Sequence, residues 1–226
     1  DAQESRGLGD VYKRQGQLSD LALYQLKLMA SHLQLVAGFD ELLALETLGF
    51  QPFDYQIRAA RTALRRFRGR GLLADEVGLG KTIEAGLVIK ELIYRHGYSR
   101  ILIVAPASLL LQWQHEMENK FNERFEVLDR RFSRRAESLG GRGSNPWQHC
   151  GKAICSLDFI KNRSFGESLA SCRWDAVIFD EAHRLRRDSQ RSTLAYTVAE
   201  VLSRNTRSLL LLTATPFRGK IEELYY

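Results

Sequence analysis

Residues 75–82, DEVGLGKT, follow the apolar run at 72–74 and precede a stretch with helical spacing of apolar residues. A glycine-rich turn between a strand and a helix gathers backbone N–H groups around phosphate oxygens, and the positive end of the helix dipole strengthens that attraction. The lysine supplies a mobile cation and the threonine supplies a hydroxyl ligand for Mg²⁺. The stretch therefore predicts a nucleoside triphosphate site. Its predicted nucleotide-binding residues are Gly78, Leu79, Gly80, Lys81 and Thr82.

Position 75 departs from the general phosphate-loop pattern, because it holds aspartate where that pattern has glycine. Taken alone, the stretch is also compatible with an ordinary strand-to-helix turn. A second element downstream favours the phosphate site, since the two kinds of element occur together in nucleotide-hydrolysing proteins.

That second element is residues 174–183, WDAVIFDEAH, an apolar run that ends on two adjacent carboxylates. An acidic group at the end of a buried strand can hold the Mg²⁺ that bridges the β- and γ-phosphates, and its neighbour can activate the attacking water. We assign Asp180 to the metal, together with Thr82, and we assign Glu181 to the water. The predicted catalytic set is Glu181, Asp180 and Lys81. The alternative is a solvated acidic pair that caps the next helix.

Two further apolar runs, at 101–105 and 209–213, are typical of strands buried on both faces. Apolar residues recur near helical spacing over 82–94 and over 109–121, where Trp113 belongs to the apolar face. Strands that alternate with helices predict an α/β fold, with a mostly parallel, doubly wound sheet flanked by helices. In such sheets the ligand binds at the carboxyl ends of the strands, where both predicted site elements lie.

Five segments taken together carry a family resemblance: Gln56, DEVGLGKTIEAG at 75–86, ILIVAPASLLLQW at 101–113, DEAH at 180–183 and LLLTATPFRGK at 210–220. The set resembles the first RecA-like lobe of superfamily 2 helicases, which is a P-loop NTPase fold. More narrowly, it resembles the bacterial, RapA-like branch of the Swi/Snf DNA translocases. The resemblance covers about residues 40–226, and family members also carry Asp-Glu before the phosphate loop, which accounts for the aspartate at its start.

The resemblance implies roles for residues outside the phosphate loop. Gln56 would bind the adenine edge and so favour ATP; the alternative is a surface glutamine at a helix start. The resemblance also implies three residues that touch the nucleic-acid backbone and three that couple the nucleotide site to nucleic acid. The first group is Pro106, Ala107 and Ser108, and the second is His183, Thr213 and Thr215. Ser156 begins a looser match to another backbone-contact loop, for which a plain turn is the alternative.

The activity implied by the resemblance is ATP- and Mg²⁺-dependent translocation on double-stranded DNA. A second RecA-like lobe would close over the nucleotide and supply arginines to the γ-phosphate. The implied protein partners are RNA polymerase or proteins of defence systems. Two alternatives share these motifs: a strand-separating DNA or RNA helicase, and a nucleotide-dependent scaffold without hydrolysis. Glu181 argues against the scaffold, because a non-hydrolysing protein does not need an acid that activates water.

The pattern along the chain predicts three parts. Residues 1–16 form a leader with no apolar periodicity, which resembles translated adapter sequence and is set aside. Residues 17–48 suggest an amphipathic helical segment, and residues 49–226 form the RecA-like lobe. Because the sequence given stops soon after the element at 213–215, we expect this lobe to be half of a two-lobed motor, with little activity as an isolated lobe.

Composition agrees with this interpretation without deciding it. A chain of 226 residues that is 44% hydrophobic can bury one core, and a net charge of +6 suits a polyanionic partner. Arginine makes up most of the 33 basic residues, which suits phosphate contacts and is equally explained by a GC-rich genome. Three cysteines without a C-x-x-C pair, and no long apolar segment, predict a cytoplasmic protein with neither a zinc site nor a membrane partner. The resemblance to DNA translocases implies association with the nucleoid.

Overall fold

The structure is a computed structural model. It describes residues 39, 41–67, 69–74, 78, 80–129, 132, 145, 147–148, 150–185, 187–188 and 191–214. The predicted leader at 1–16 lies outside the described residues, as does most of the predicted helical segment at 17–48. In that segment the structure describes a short 3-10 helix, Leu43–Thr47.

Helices and strands alternate along the described chain, as the sequence predicts. The helices are α1 (Asp54–Phe67), α2 (Lys81–His96), α3 (Leu110–Phe121), α4 (Leu157–Ile160), α5 (Arg163–Ala170) and α6 (Leu194–Arg204). The strands are β1 (Arg70–Leu73), β2 (Ile101–Ala105), β3 (Glu126–Leu128), β4 (Lys152–Ser156), β5 (Trp174–Phe179), β6 (Arg187–Asp188), β7 (Arg191–Ser192) and β8 (Thr206–Leu212). None of the helices in the described part of the chain is long and apolar enough to cross a membrane.

Six strands form one sheet in the order β1-β8-β5-β2-β4-β3, and every neighbouring pair in it is parallel. β6 and β7 form a separate antiparallel pair. The register aligns the carboxyl ends of the central strands, since Phe179 pairs with Val104 on one side and with Leu211 on the other. The predicted α/β fold with a parallel sheet flanked by helices is therefore confirmed.

The sheet is buried on both faces, and β2 shows this most clearly. All five of its residues are inaccessible to solvent. Leu102 and Val104 belong to a core cluster that includes residues of α4, α5 and α6. Because side chains alternate along a strand, Ile101 and Ile103 face the opposite side, where they are equally buried. A core on each face fixes the strands, and with them the loops at their carboxyl ends.

Helix α2, which begins at the phosphate loop, is held by buried polar contacts as well as by apolar packing. Glu91, which is fully buried, accepts a hydrogen bond from the Ala44 backbone at 2.6 Å and pairs with Arg95 at 2.7 Å. Lys90 pairs with the buried carboxylate of Glu123 at 2.5 Å. Unpaired buried charges are costly, so these partners fix the orientation of α2 relative to its neighbours.

Candidate nucleotide-binding and hydrolysis site

The sequence motifs meet at one edge of the sheet, the edge formed by the carboxyl ends of the strands. In spatial order, β1 leads to the phosphate loop, β8 to Thr213, β5 to Asp180 and β2 to Pro106. Backbone hydrogen bonds hold these ends together, from Thr213 N to Leu73 O at 3.0 Å and from Asp180 N to Val104 O at 2.8 Å. Residues far apart in the chain therefore lie within two or three strands of each other.

The phosphate loop has the backbone geometry that only glycine adopts readily. Gly78 has φ +90° and Gly80 has φ +80°, and Gly80 directly precedes the first residue of α2. Lys81 and Thr82 form the first turn of that helix and are half-buried, so both side chains are accessible to a ligand. Residues 75–77 and Leu79 lie outside the described residues. The described loop leads into an N-terminal helix end of the kind that attracts phosphate.

Gln56 lies against the phosphate loop. Its side chain is buried, and Oε1 accepts a hydrogen bond from the Phe53 backbone at 3.0 Å, as in a helix capping box. A Cβ at position 80 would lie 2.5 Å from Gln56 Nε2, so the amide occupies the space that glycine leaves open. The structure thus excludes a surface glutamine and brings Gln56 to the nucleotide site. Its role toward adenine stays a prediction.

Asp180 follows β5 and is a buried carboxylate, with only 9% of its surface exposed. Oδ2 accepts a hydrogen bond from the Trp113 indole N–H at 2.8 Å, and Oδ1 accepts one from the Glu181 backbone at 2.8 Å. Burial raises the pKa of Asp180 above its usual range, while these two hydrogen bonds and the charge of Lys81 act in the opposite direction. The alternative of a solvated Asp180 is therefore excluded.

Glu181 has the left-handed backbone conformation, with φ +51°, which is uncommon for residues other than glycine. Such conformations concentrate at functional sites. Nδ1 of His183 lies 3.0 Å from Glu181 Oε2 and 3.2 Å from Thr213 Oγ1. These contacts bring the predicted hydrolytic acid, Glu181, together with two of the three predicted coupling residues, His183 and Thr213. Thr215 lies outside the described residues.

The residues present fit a magnesium ion. Thr82 offers a hydroxyl oxygen and Asp180 a carboxylate, and oxygen ligands of these types are the ones that Mg²⁺ prefers. Burial leaves the Asp180 carboxylate poorly solvated and raises its pKa, so a cation beside it would stabilise the ionised form. Mg²⁺ is bound in such sites by one or two side chains together with substrate phosphates, which matches this small ligand set.

The segment that follows β2 forms the neighbouring part of the same edge. Pro106 is half-buried, whereas Ala107 and Ser108 are exposed within a 3-10 turn, Ala107–Leu109, that leads into α3. This placement gives a ligand access to small residues one strand away from Asp180. One strand further, the Ser156 hydroxyl accepts a hydrogen bond from the Phe159 N–H at 2.9 Å and caps α4. This local capping role is enough to explain Ser156 and agrees with the alternative of a plain turn.

The contact between Trp113 and Asp180 is the feature that sequence reasoning misses. The helical period places Trp113 on an apolar face, and nothing in the sequence indicates that its N–H reaches a carboxylate 67 residues away.

The three cysteines are not part of the candidate site. They are buried, and burial raises the pKa of each thiol, to about 12 for Cys150, which keeps them protonated.

A parallel sheet with this phosphate loop, acidic pair and glutamine defines a RecA-like lobe of the P-loop NTPase class. The sequence pattern of the SNF2-related domain matches residues 55–226. The chain belongs to this family. The family resemblance in the sequence is thereby confirmed.

Among similar proteins, the RNA polymerase-associated protein RapA of Proteus mirabilis (strain HI4320) is 44% identical over 163 residues. That match covers 72% of this chain and 16% of the relative. The ATP-dependent helicase YqhH of Bacillus subtilis (strain 168), whose function is uncharacterised, is 32% identical over 226 residues, 100% of this chain and 37% of its own length. The chain thus spans well under half of these relatives.

Among solved structures, the Sulfolobus solfataricus SWI2/SNF2 ATPase core in complex with dsDNA matches with a TM-score of 0.63. The match covers 82% of this chain and 36% of the solved chain, at 21% sequence identity. At that identity the likeness establishes the fold, which agrees with the parallel sheet and flanking helices described above.

Proposed function

We propose that this chain is the ATP-binding and hydrolysing lobe of a Swi/Snf-type motor that moves along double-stranded DNA. The observation that carries the proposal is the convergence of three features on one sheet edge. These are the glycine loop before Lys81, the buried Asp180 beside Glu181, and the contact from Glu181 through His183 to Thr213. Membership of the SNF2-related family supports the same function.

In this proposal, Gly78, Gly80 and the first turn of α2 surround the phosphates, and Lys81 neutralises part of their charge. Gln56, held against Gly80, contacts the adenine and favours ATP over GTP. Thr82 and Asp180 would hold Mg²⁺, which would neutralise charge on the phosphates and help to orient them. Leu79 contributes to the loop by its position in the sequence.

Glu181 accepts a proton from the attacking water, and its contact with His183 supports that role. The left-handed backbone at Glu181 turns the chain directly after Asp180, at the carboxyl end of β5. Because His183 also contacts Thr213, a change at either side of this chain of contacts alters the position of the acid.

The DNA contact falls on residues 106–108, which follow β2. Pro106 is half-buried, whereas Ala107 and Ser108 are small and exposed, and backbone N–H groups beside such residues can approach phosphates closely. The solved SWI2/SNF2 core is a complex with dsDNA, which supports duplex DNA as the partner.

We further propose that the full-length protein has a second RecA-like lobe and a cytoplasmic, nucleoid-associated location. The name of the RapA relatives supports a third proposal, association with RNA polymerase. Thr215 would act with Thr213 in coupling.

The test is the steady-state ATPase rate of the full-length protein with no polymer, duplex DNA, single-stranded DNA and RNA in turn, at one fixed salt concentration. Selective stimulation by duplex DNA that disappears in Glu181→Gln is the expected result. Preference for single strands or RNA would instead assign a strand-separating helicase. ATP binding without turnover on any polymer would contradict the motor and assign a nucleotide-dependent scaffold.

A further inference from the structure

The indole of Trp113 donates a hydrogen bond to the carboxylate that the proposed function gives to Mg²⁺. The Nε1 to Oδ2 distance is 2.8 Å, and the indole is 1% exposed. A hydrogen bond to an ionised acceptor shielded from water is stronger than one between neutral groups. The bond therefore limits rotation of the Asp180 side chain, which the Glu181 backbone N–H restrains at its other oxygen.

Trp113 also belongs to the element that leads from the candidate DNA contact. The 3-10 turn Ala107–Leu109 runs directly into α3, and Trp113 lies in the first turn of that helix. The Leu109 N–H donates to Pro106 O at 2.9 Å, which ties the turn to the end of β2. A shift of the turn would therefore move the start of α3 and, through the indole, the Asp180 carboxylate.

We propose that Trp113 is a positioning residue, which holds Asp180 in the orientation that Mg²⁺·ATP requires and links that orientation to the DNA contact at residues 106–108. The inference rests on the proposed function and names a second route of coupling, separate from the contact between His183 and Thr213. Ionised carboxylate oxygens carry several lone pairs, so the bonds from Trp113 and Glu181 leave acceptor sites for a cation. Groups that orient metal ligands in this way contribute strongly to metal affinity.

The test compares Trp113→Phe with Trp147→Phe in the full-length protein. Trp147 is a matched control, because it is equally buried and its indole donates to Ser168 Oγ at 2.8 Å, away from the carboxyl ends of the strands. ATP affinity is measured with Mg²⁺ and with EDTA. Trp113→Phe is expected to leave affinity in EDTA unchanged and to lower the gain from Mg²⁺ about tenfold, the usual size for loss of a group that orients a metal ligand.

The two conditions separate positioning from a general structural role. Damage to the fold would weaken ATP binding in EDTA as well as in Mg²⁺, whereas loss of orientation at Asp180 affects only the Mg²⁺-dependent part. An equal Mg²⁺ gain in Trp113→Phe and Trp147→Phe would overturn the inference. Failure of the wild type to bind ATP would instead contradict the proposed function, so the two failures are distinguishable.

A wild-type measurement tests the link to DNA without relying on a variant that folds. Coupling between two sites is reciprocal, so DNA that acts through Asp180 must change ATP affinity more when Mg²⁺ is present than when it is absent. The expected result is a larger gain in ATP affinity on addition of duplex DNA in Mg²⁺ than in EDTA at matched ionic strength. An equal effect of DNA in both conditions would overturn this route of coupling.

Discussion

Strand β5 carries an aspartate near each end, and the two carboxylates have opposite surroundings. Asp175, near the amino end, accepts hydrogen bonds from the backbone N–H groups of Ser99 at 3.0 Å and Arg100 at 2.9 Å. Asp180, beyond the carboxyl end, is buried, and burial raises its pKa. The first carboxylate closes a loop, whereas the second retains a charge that its surroundings stabilise incompletely.

The same contrast extends to the two edges of the sheet. At the amino edge, the Arg100 guanidinium donates to Trp147 O at 2.7 Å and lies over the Trp174 ring, which cross-links neighbouring segments. The carboxyl edge instead holds Glu181, a residue other than glycine, in a left-handed conformation directly after the buried Asp180. Backbone strain of this kind is typical of functional sites, and here it lies beside the carboxylate whose pKa burial raises.

The largest effect is expected from Glu181→Gln at the carboxyl edge. Removal of the proton acceptor should lower kcat by about 10²- to 10⁴-fold and leave ATP binding unchanged, because the amide keeps the shape of the side chain. DNA-stimulated turnover and ATP affinity of the full-length protein check this. A loss of affinity as large as the loss of turnover would contradict the division of roles between Glu181 and the phosphate loop.

The next largest effect is expected from Lys81→Ala. Loss of a charged hydrogen-bond donor to phosphate should weaken ATP binding by about 10- to 100-fold. Lys120→Ala is the control, since Lys120 is a partly exposed lysine on α3 that pairs with Glu116 at 3.5 Å. Isothermal titration with ATP distinguishes the two variants. Unchanged binding in Lys81→Ala would contradict the phosphate-site interpretation itself.

Substitution of the two aspartates tests the comparison directly. Asp175→Asn should lower stability by roughly 1 kcal/mol through weaker hydrogen bonds and leave Mg²⁺·ATP binding unchanged. Asp180→Asn should abolish the Mg²⁺-dependent part of ATP binding, because the amide lacks the negative charge of an oxygen ligand for Mg²⁺. ATP titrations in Mg²⁺ and in EDTA check both variants. An equal Mg²⁺-dependent gain in Asp175→Asn and Asp180→Asn would contradict the comparison.

The sign of the pH dependence follows from the raised pKa of Asp180. Between the ordinary carboxyl pKa of 3.8 and the higher folded value, the unfolded chain has already lost the proton that the folded protein keeps. Wild-type stability relative to Asp180→Asn should therefore fall as pH rises through that window and stay lower above it. Thermal melts of both proteins across this pH range, without metal, check the direction.

The smallest effects on ATP binding are expected from alanine at the glycines that flank helix α2. Gly97, at the carboxyl end of the helix, has φ +63°, and a Cβ at this position would meet no atom within 4 Å. Gly97→Ala should therefore cost only about 1–2 kcal/mol of backbone strain. Gly80→Ala carries a similar strain and also displaces Gln56. ATP affinity should therefore fall in Gly80→Ala and stay unchanged in Gly97→Ala. An equal fall in both variants would show that the loss does not come from the displaced Gln56.

Sequence patterns predict the fold well where strands are apolar and poorly where buried polar residues extend them. The run at 209–213 identifies β8, yet the strand begins at Thr206. Thr206 and Ser208 are buried, and the Ser208 hydroxyl lies 3.3 Å from the Tyr98 hydroxyl, a partner that no local pattern predicts. The short strands β3 and β4 lack a long apolar run, so the same criterion does not identify them.

Local sequence is enough to predict the chemistry of the candidate site, because each motif is contiguous and its residue types define what it can bind. The glycine turn before Lys81 and the adjacent carboxylates at Asp180 and Glu181 can each be recognised within a few residues. Which groups meet follows from the fold, which brings Trp113 to Asp180 and His183 to Thr213. These contacts depend on strand order and register, which long-range packing fixes and local sequence does not.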